Sequence, residues 1–414
     1  MVYILNKHGK PLMPCSQRKA RILLKEKKAM VVKRTPFTLK LLYGCSGYKQ
    51  EITLGIDAGS KVIGVSATAE TREVYASEVT LRNDISDLLT DKRTLRRTRR
   101  SRLRYRKPRF NNRGQKGWLA PSIRHKIETH LKQVKAIHKI LPVSKIIVEV
   151  ASFDTQKLKN PNIKGVAYQE GEQLDFFNVR EYVLFRDKHK CQNPKCKGKS
   201  DILNVHHIVY RSKGGTDAPS NLISLCNDCH TPLNHKEGHF LWDWCSDKKK
   251  MGHYKDAAFM GIMRWSFYNK LKELYPKVSL TYGYLTKNKR IKSELNKTHR
   301  NDAYCITGNL EAKQLDSVLL RTKIRRHNRQ IHKNNFLKGH RKKNNQAPYE
   351  VKGFRLFDKV LYKDQECFIS GRRQTGYFVL KTYTKETIAK TAKVKDLKLL
   401  ERRKGYISSL ERVS

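Results

Sequence analysis

Forty residues, Cys191 to His230, constrain this chain more than any other stretch. They hold two cysteine pairs, Cys191/Cys196 and Cys226/Cys229, on either side of the run Asn204-Val205-His206-His207-Ile208-Val209. Behind that run come Gly214-Gly215, Ser220-Asn221-Leu222 and, directly after the second pair, His230. Paired cysteines suit a small structural Zn²⁺ site, because four thiolates close a tetrahedron and hold together a segment too short for a substantial core. The bland alternative is scattered cytosolic thiols. Cys226-Asn-Asp-Cys229-His230 also fits c-type haem attachment, which a second cysteine pair and the lack of an export signal argue against.

The histidines supply the chemistry. Hydrolysing a phosphodiester at neutral pH needs a base to activate water and a cation to neutralise the phosphate and the departing oxygen. His207 is the candidate base, its tautomer set by a carbonyl or by the side chain of Asn221. Neighbours on a strand point to opposite faces, so His206 can turn to a metal while His207 turns to the water. His230, expected at the start of a helix after Cys229, is the second metal ligand, and Asn234 one turn later is a candidate third. Taken together, Cys…Cys, His-His, Gly-Gly, Asn-Leu and Cys-x-x-Cys-His resemble the HNH, or ββα-metal, nucleases. That resemblance implies a site served by Mg²⁺ beside a structural Zn²⁺.

Charge narrows the partner. The chain of 414 residues carries 88 basic and 37 acidic residues, a formal +51, which would repel itself unless it met a polyanion. Nucleic acid is the leading partner, although basic ribosomal proteins and anionic-lipid binders share the composition. No apolar run approaches the roughly eighteen residues of a spanning helix, and Met1-Val-Tyr-Ile-Leu5 does not extend into a signal peptide. An intracellular protein is expected, with Cys15, Cys45, Cys245, Cys305 and Cys367 reduced.

Three acids outside the insert form a second constellation. Ile52, Leu54 and Ile56 alternate with Thr53 and Gly55 and end on Asp57 beside Ala58-Gly59-Ser60, a strand and turn. Such an acid alone is as often surface decoration. Lys145-Ile-Ile-Val-Glu149-Val-Ala151 is a buried type of strand holding one carboxylate, which must meet a cation or lie at a sheet edge. His299-Arg-Asn-Asp302 opens a helix with both residues on one face. Three acids so placed suit two Mg²⁺ ions at about 4 Å separation, an arrangement for in-line phosphoryl displacement. Their order is similar to that of the RNase H-like RuvC nucleases, with Asp57, Glu149, His299 and Asp302 matching. Ala58 stands where that family often has Pro.

Lys92 to Arg113 has twelve Lys or Arg among twenty-two residues. Its body lacks Gly and Pro, so the spacing predicts a helix ordered on RNA, with a disordered polycation as the bland alternative. Arg93, Arg96, Arg97, Arg99, Arg100, Arg102, Arg104, Arg106 and Arg109 are its candidate phosphate contacts. Arg321 to Lys343 is expected to lie extended along a phosphate backbone. Phe354 to Leu380 alternates like a small β-barrel, with Arg372 and Arg373 as nucleic-acid contacts.

The whole order resembles the CRISPR-associated type II effector nucleases at much smaller size, and with Pro11-Leu-Met-Pro14 it is similar to the IscB family. The implied fold is α/β multidomain: an RNase H-like (RuvC) core split in three, an inserted ββα-metal HNH domain with a Zn knuckle, and a small C-terminal β-barrel. The segments run 1–50 (N-terminal module), 51–90, 115–160 and 251–315 (RuvC), 91–114 (arginine-rich bridge helix), 161–250 (linkers and HNH) and 316–414 (basic linker and barrel).

The resemblance implies a transposon-encoded, RNA-guided DNA endonuclease. In it HNH cuts the guide-paired strand, RuvC cuts the displaced one, and the barrel touches a short adjacent motif. The partners implied are a guide noncoding RNA and double-stranded DNA, with no membrane, for a monomeric protein near the prokaryotic nucleoid. Residues alone reach only cutting of nucleic acid. An unguided homing or repair endonuclease and a non-enzymatic RNA-binding protein are the alternatives.

Overall fold

The computed structural model describes residues 1–45, 47–102, 118–150, 176, 178–197, 200, 202–213, 215–247, 255–325, 334–335, 340–341 and 347–412. The chain divides into two compact units, Met1–Ser152 with Phe259–Ser414, and Phe153–Ala258.

The larger unit begins with β1 (Tyr3–Leu5), α1 (Gln17–Lys25), β2 (Ala29–Lys33) and β3 (Thr38–Leu41), whose strands form a sheet in the order β1-β3-β2. Pro11-Leu-Met-Pro14 lies back along β1 through bridges at Leu5↔Pro11 and Val2↔Cys15, which buries Leu12 in the module's own core. Ser16 caps α1 by accepting the Lys19 N–H at 3.3 Å.

The main sheet starts with β4 (Thr53–Ala58), β5 (Val62–Thr68) and β6 (Glu73–Thr80), an antiparallel meander. The arginine-rich helix α2 spans Ile85–Arg102, starting before the expected Asp91. Arg93, Arg96 and Arg97 are exposed on it, whereas Arg104, Arg106 and Arg109 lie outside the described residues. Helix α3 (Pro121–His138) leads into β7 (Lys145–Val150), which is parallel to β4.

The smaller unit contains α4 (Val179–Arg186), the antiparallel pair β8 (Leu203–His207) and β9 (Leu222–Cys226), and α5 (Phe240–Asp247). Asp187, after α4, accepts the Ser224 N–H at 2.8 Å and pairs with Arg186, tying that helix to β9.

The larger unit resumes with α6 (Lys255–Leu274), β10 (Val278–Tyr282), α7 (Gly283–Lys292), α8 (His299–Thr307) and β11 (Ser317–Lys323). The final strand, Tyr406–Arg412, completes a seven-stranded sheet in the order β10-β7-β4-β5-β6-β11 and then the final strand. Arg321 is therefore part of a sheet strand, not of an extended phosphate-binding arm, because Leu319 to Thr322 pair with β6 and Ser317 to Lys323 with the final strand. The rest of that basic stretch lies mostly outside the described residues.

Alternation along β4 sorts its side chains by face. Leu54, Ile56 and Ala58 enter a core with Ile127, Val134 and Ile137 of α3 and Met263, Phe267 and Leu271 of α6. Gly55 and Asp57 face α8 instead. A Cβ on Gly55 would stand 2.2 Å from the Ala303 carbonyl oxygen, and one on Gly64 1.8 Å from that of His299. Only glycine lets α8 lie this close to the sheet, which brings His299 to Asp57. Arg300, buried on α8, donates to the fully buried Glu73 at 3.0 Å and fixes the helix there.

The C-terminal region is a five-stranded antiparallel sheet with strands in the spatial order 387–393, 377–381, 365–372, 359–362 and 398–401. Its core is Val360, Cys367, Ile369, Phe378 and Leu380. Arg372 is half-buried in it and Arg373 is exposed in the following turn. Among the described residues no helix is long and apolar enough to cross a membrane.

Candidate active sites

The smaller unit holds two ligand clusters. The sulfurs of Cys191, Cys196, Cys226 and Cys229 lie within 4.8 Å of one another, and Cys196 and Cys226 approach to 3.6 Å. Burial and then hydrogen bonds among the thiols raise Cys229 to about 12, and burial raises Cys191 as well, so a cation binding there must expel their protons. Four sulfurs at this spacing fit tetrahedral Zn²⁺.

The second cluster is His206, His230 and His235, again with donor atoms within 4.8 Å. The three ring centroids are 5.1, 5.1 and 5.2 Å apart, and His206 Nδ1 is 3.2 Å from His230 Nε2. Burial and then the neighbouring imidazoles push His206 down to about 4, leaving it neutral with a lone pair free for a metal. The Tyr210 hydroxyl contacts His235 Nδ1 at 3.2 Å and orients that ring.

Two expectations are corrected here. No helix starts at Cys229; turns lead to a single 3₁₀ turn, Leu233–His235, and the third imidazole is His235. Asn234 donates to the Cys229 carbonyl at 2.9 Å instead. A histidine five residues after His230 was the available signal, missed because regular helical spacing was assumed.

His206 is buried and His207 is 23% exposed, on the opposite face of β8. The Asn221 side chain directs its hydrogen bonds to the backbone and not to His207. It accepts the Val209 N–H at 2.9 Å and donates to the Val209 and Thr216 carbonyls, closing the loop between β8 and β9. His207 Nε2 has two neighbours, the Asp217 carboxylate at 2.7 Å and Arg211 Nε at 3.3 Å, and Arg211 also holds Asp217 at 2.7 Å. A carboxylate only accepts, so the shorter contact favours Nε2–H donating to Asp217, which leaves the Nδ1 lone pair for a water.

In the larger unit the expected acids meet at one end of the sheet. Asp57 ends β4, Glu149 lies in β7 and Asp302 is in the first turn of α8. His299 Nδ1 is 2.6 Å from Asp57, which raises its pKa above the usual imidazole value. Burial, then the Asp57 charge, raises Glu149 and Asp302 as well. Arg264 was not foreseen. From the buried face of α6 its guanidinium reaches Glu149 at 3.2 Å and Asp57 at 3.8 Å, and donates to the Ala58 carbonyl at 2.9 Å. Arg290 is 3.0 Å from Asp302. The signal for Arg264 was an arginine within the apolar series Met260, Met263, Phe267, Leu271. Unlike the other clusters, the three carboxylates are not packed within 4.8 Å as a group. Their hard oxygens and mutual repulsion suit Mg²⁺.

Residues 190–236 match the HNH endonuclease family, and residues 2–171 match the RRXRR protein family. The chain carries an HNH endonuclease domain. The two histidines of β8, Asn221 and the four cysteines all fall inside it. Arg96-Arg97-Thr98-Arg99-Arg100 on α2 has the pattern spelled by the name of the second family. A stretch of 68 residues is 32% identical to the type IV methyl-directed restriction enzyme EcoKMcrA of Escherichia coli (strain K12), covering 14% of this chain and 24% of that enzyme. The chain thus matches about a quarter of that relative's length.

Proposed function

We propose that the protein is a DNA endonuclease with two metal-dependent sites, guided by RNA: the HNH domain cuts the guide-paired strand and a RuvC-like site cuts the displaced one. The observation that carries the two-site reading is the meeting of Asp57, Glu149, His299 and Asp302 from β4, β7 and α8 in a unit distinct from the HNH domain. The strand order β10-β7-β4-β5-β6, a meander flanked by parallel strands, supports an RNase H-like core. The RRXRR and HNH pair is that of IscB-like proteins. The exposed Arg93, Arg96 and Arg97 on α2 support an RNA partner.

In the HNH domain, His207 takes a proton from water at Nδ1 while Asp217 holds its Nε2–H. Asn221 keeps the intervening loop closed. His206, His230 and His235 would hold a cation that neutralises the phosphate. Three imidazole nitrogens suit a borderline transition ion better than the Mg²⁺ expected from sequence, since Mg²⁺ prefers oxygen. The four cysteines would hold Zn²⁺.

In the larger unit, Asp57, Glu149 and Asp302 would hold Mg²⁺, which supplies charge neutralisation on the phosphoryl oxygens. Arg264 and Arg290 fix the carboxylates. His299, whose pKa the hydrogen bond to Asp57 raises, orients that carboxylate from the first turn of α8.

The test is strand-resolved cutting of labelled duplex DNA by the purified ribonucleoprotein. His207→Ala should slow only the guide-paired cut, by about 10²–10⁴. Asp57→Ala should abolish only the other. One coupled centre is the answer if either change stops both cuts while DNA stays bound. An unguided restriction-type endonuclease, the reading favoured by the EcoKMcrA similarity, would purify without RNA and cut without it.

A further inference from the structure

Helix α7 has one face in the carboxylate site and another in solvent. Its inner residues follow helical spacing: Gly283, Thr286 and Arg290. A Cβ on Gly283 would lie 3.4 Å from Glu149 Oε1, the Thr286 hydroxyl bonds Glu149, and Arg290 meets Asp302. The helix is thus a wall of the site.

Around Gly283 the chain exposes what a wall does not need. Tyr282 is 40% and Tyr284 64% exposed, their rings inclined by only 13° with centroids 6.1 Å apart. Leu285 and Ile291 are exposed as well. The helix carries Lys287, Lys289, Arg290 and Lys292 and no acid. Cations in the last turn complement the helix dipole, but Lys287 in the middle does not. Parallel aromatic rings followed one turn on by exposed Lys287, continuous with a carboxylate site, match the chemistry of single-stranded nucleic acid: bases stack on the rings and phosphates meet the ammonium group. In a duplex the base faces are already covered, so the rings select an unpaired strand.

We propose that Tyr282 and Tyr284 form a base-stacking seat that leads single-stranded DNA into the site of Asp57, Glu149 and Asp302, with Lys287 holding a phosphate. This rests on the RuvC-like reading of that site. Base–aromatic stacking weakens binding by about 5- to 150-fold per base when the ring is removed. The seat tolerates any base, since every base has a stacking face.

The test uses full-length protein in EDTA and a single-stranded oligothymidine containing 2-aminopurine, whose fluorescence is quenched on stacking. Tyr282→Ala with Tyr284→Ala should lose the quench, and the double Phe variant should keep it. In Mg²⁺ the Ala pair should raise KM for the displaced-strand cut more than it lowers kcat, and leave the His207-dependent cut unchanged. An unchanged quench and KM overturn the seat. So does an equal loss of both cuts, or quenching seen with an oligouridine that carries 2-aminopurine and not with the oligothymidine. Asp57→Ala separates the two ideas: if the displaced-strand cut survives it, the RuvC-like reading fails, whereas loss of that cut with unchanged Ala-pair behaviour sinks the seat alone.

Discussion

The two candidate sites solve the same problem with opposite materials. The HNH domain gathers nitrogen and sulfur donors from residues 191 to 235, and within each cluster the donor atoms lie within 4.8 Å of one another. The site of the larger unit gathers oxygen donors from residues 57 to 302, and holds them apart with arginines. Neutral imidazoles and thiols can crowd without repulsion; carboxylates cannot, so their preorganisation needs resident cations. A site of neutral donors depends on its metal to fold, whereas a site of charged donors depends on its own countercharge.

The largest expected effect tests the first half of that contrast. Cys226→Ser with Cys229→Ser should remove stoichiometric Zn²⁺ and protease resistance from the smaller unit, since structural Zn²⁺ contributes apparent free energies of about 10–16 kcal/mol in small domains. The larger unit should keep its own unfolding transition. Elemental analysis with limited proteolysis reads both, and full Zn²⁺ content in the variant would break the comparison.

Arg264→Met tests the second half. Removing one partner of a buried ion pair costs about 3–5 kcal/mol, so the larger unit should melt earlier in EDTA. Added Mg²⁺ should raise its melting temperature more than that of the wild type, because the carboxylates then lack any other cation. An equal Mg²⁺ response in both proteins would mean that Arg264 does not act as the countercharge.

Asn221→Ala should loosen the smaller unit locally by about 1–3 kcal/mol, the cost of leaving buried backbone groups unpaired. Faster amide exchange confined to residues near Val209 and Thr216 is expected. Loss of cutting without any such loosening would restore a direct chemical role for Asn221.

The smallest effect is a difference in sign with pH. His206 titrates at about 4 when folded against 6.5 unfolded, so the unfolded chain binds more protons between those values. The metal-free smaller unit should therefore lose stability as pH falls from 6.5 towards 4. Glu149 and Asp302 have raised values, so the folded state binds more protons there and acidification relieves it. The metal-free larger unit should accordingly gain stability as pH falls toward the raised values of Glu149 and Asp302. Unfolding curves at several pH values give both slopes, and equal signs would dissolve the contrast.

The sequence by itself determined the local features: the cysteine pairs, the alternation that separates His206 from His207, and the β4 strand that carries Asp57 at its end. Each depends on spacing of a few residues, and period and ligand type are readable at that range. Only the tertiary structure decided that Arg264 serves Glu149, that Asp217 holds His207, and that His235 completes the histidine triad. It also decided that Arg321 belongs to a sheet and not to an arm. Those outcomes depend on contacts across loops or between distant segments. No sequence period encodes them, because they are fixed by which faces pack and by which buried charges must find a partner.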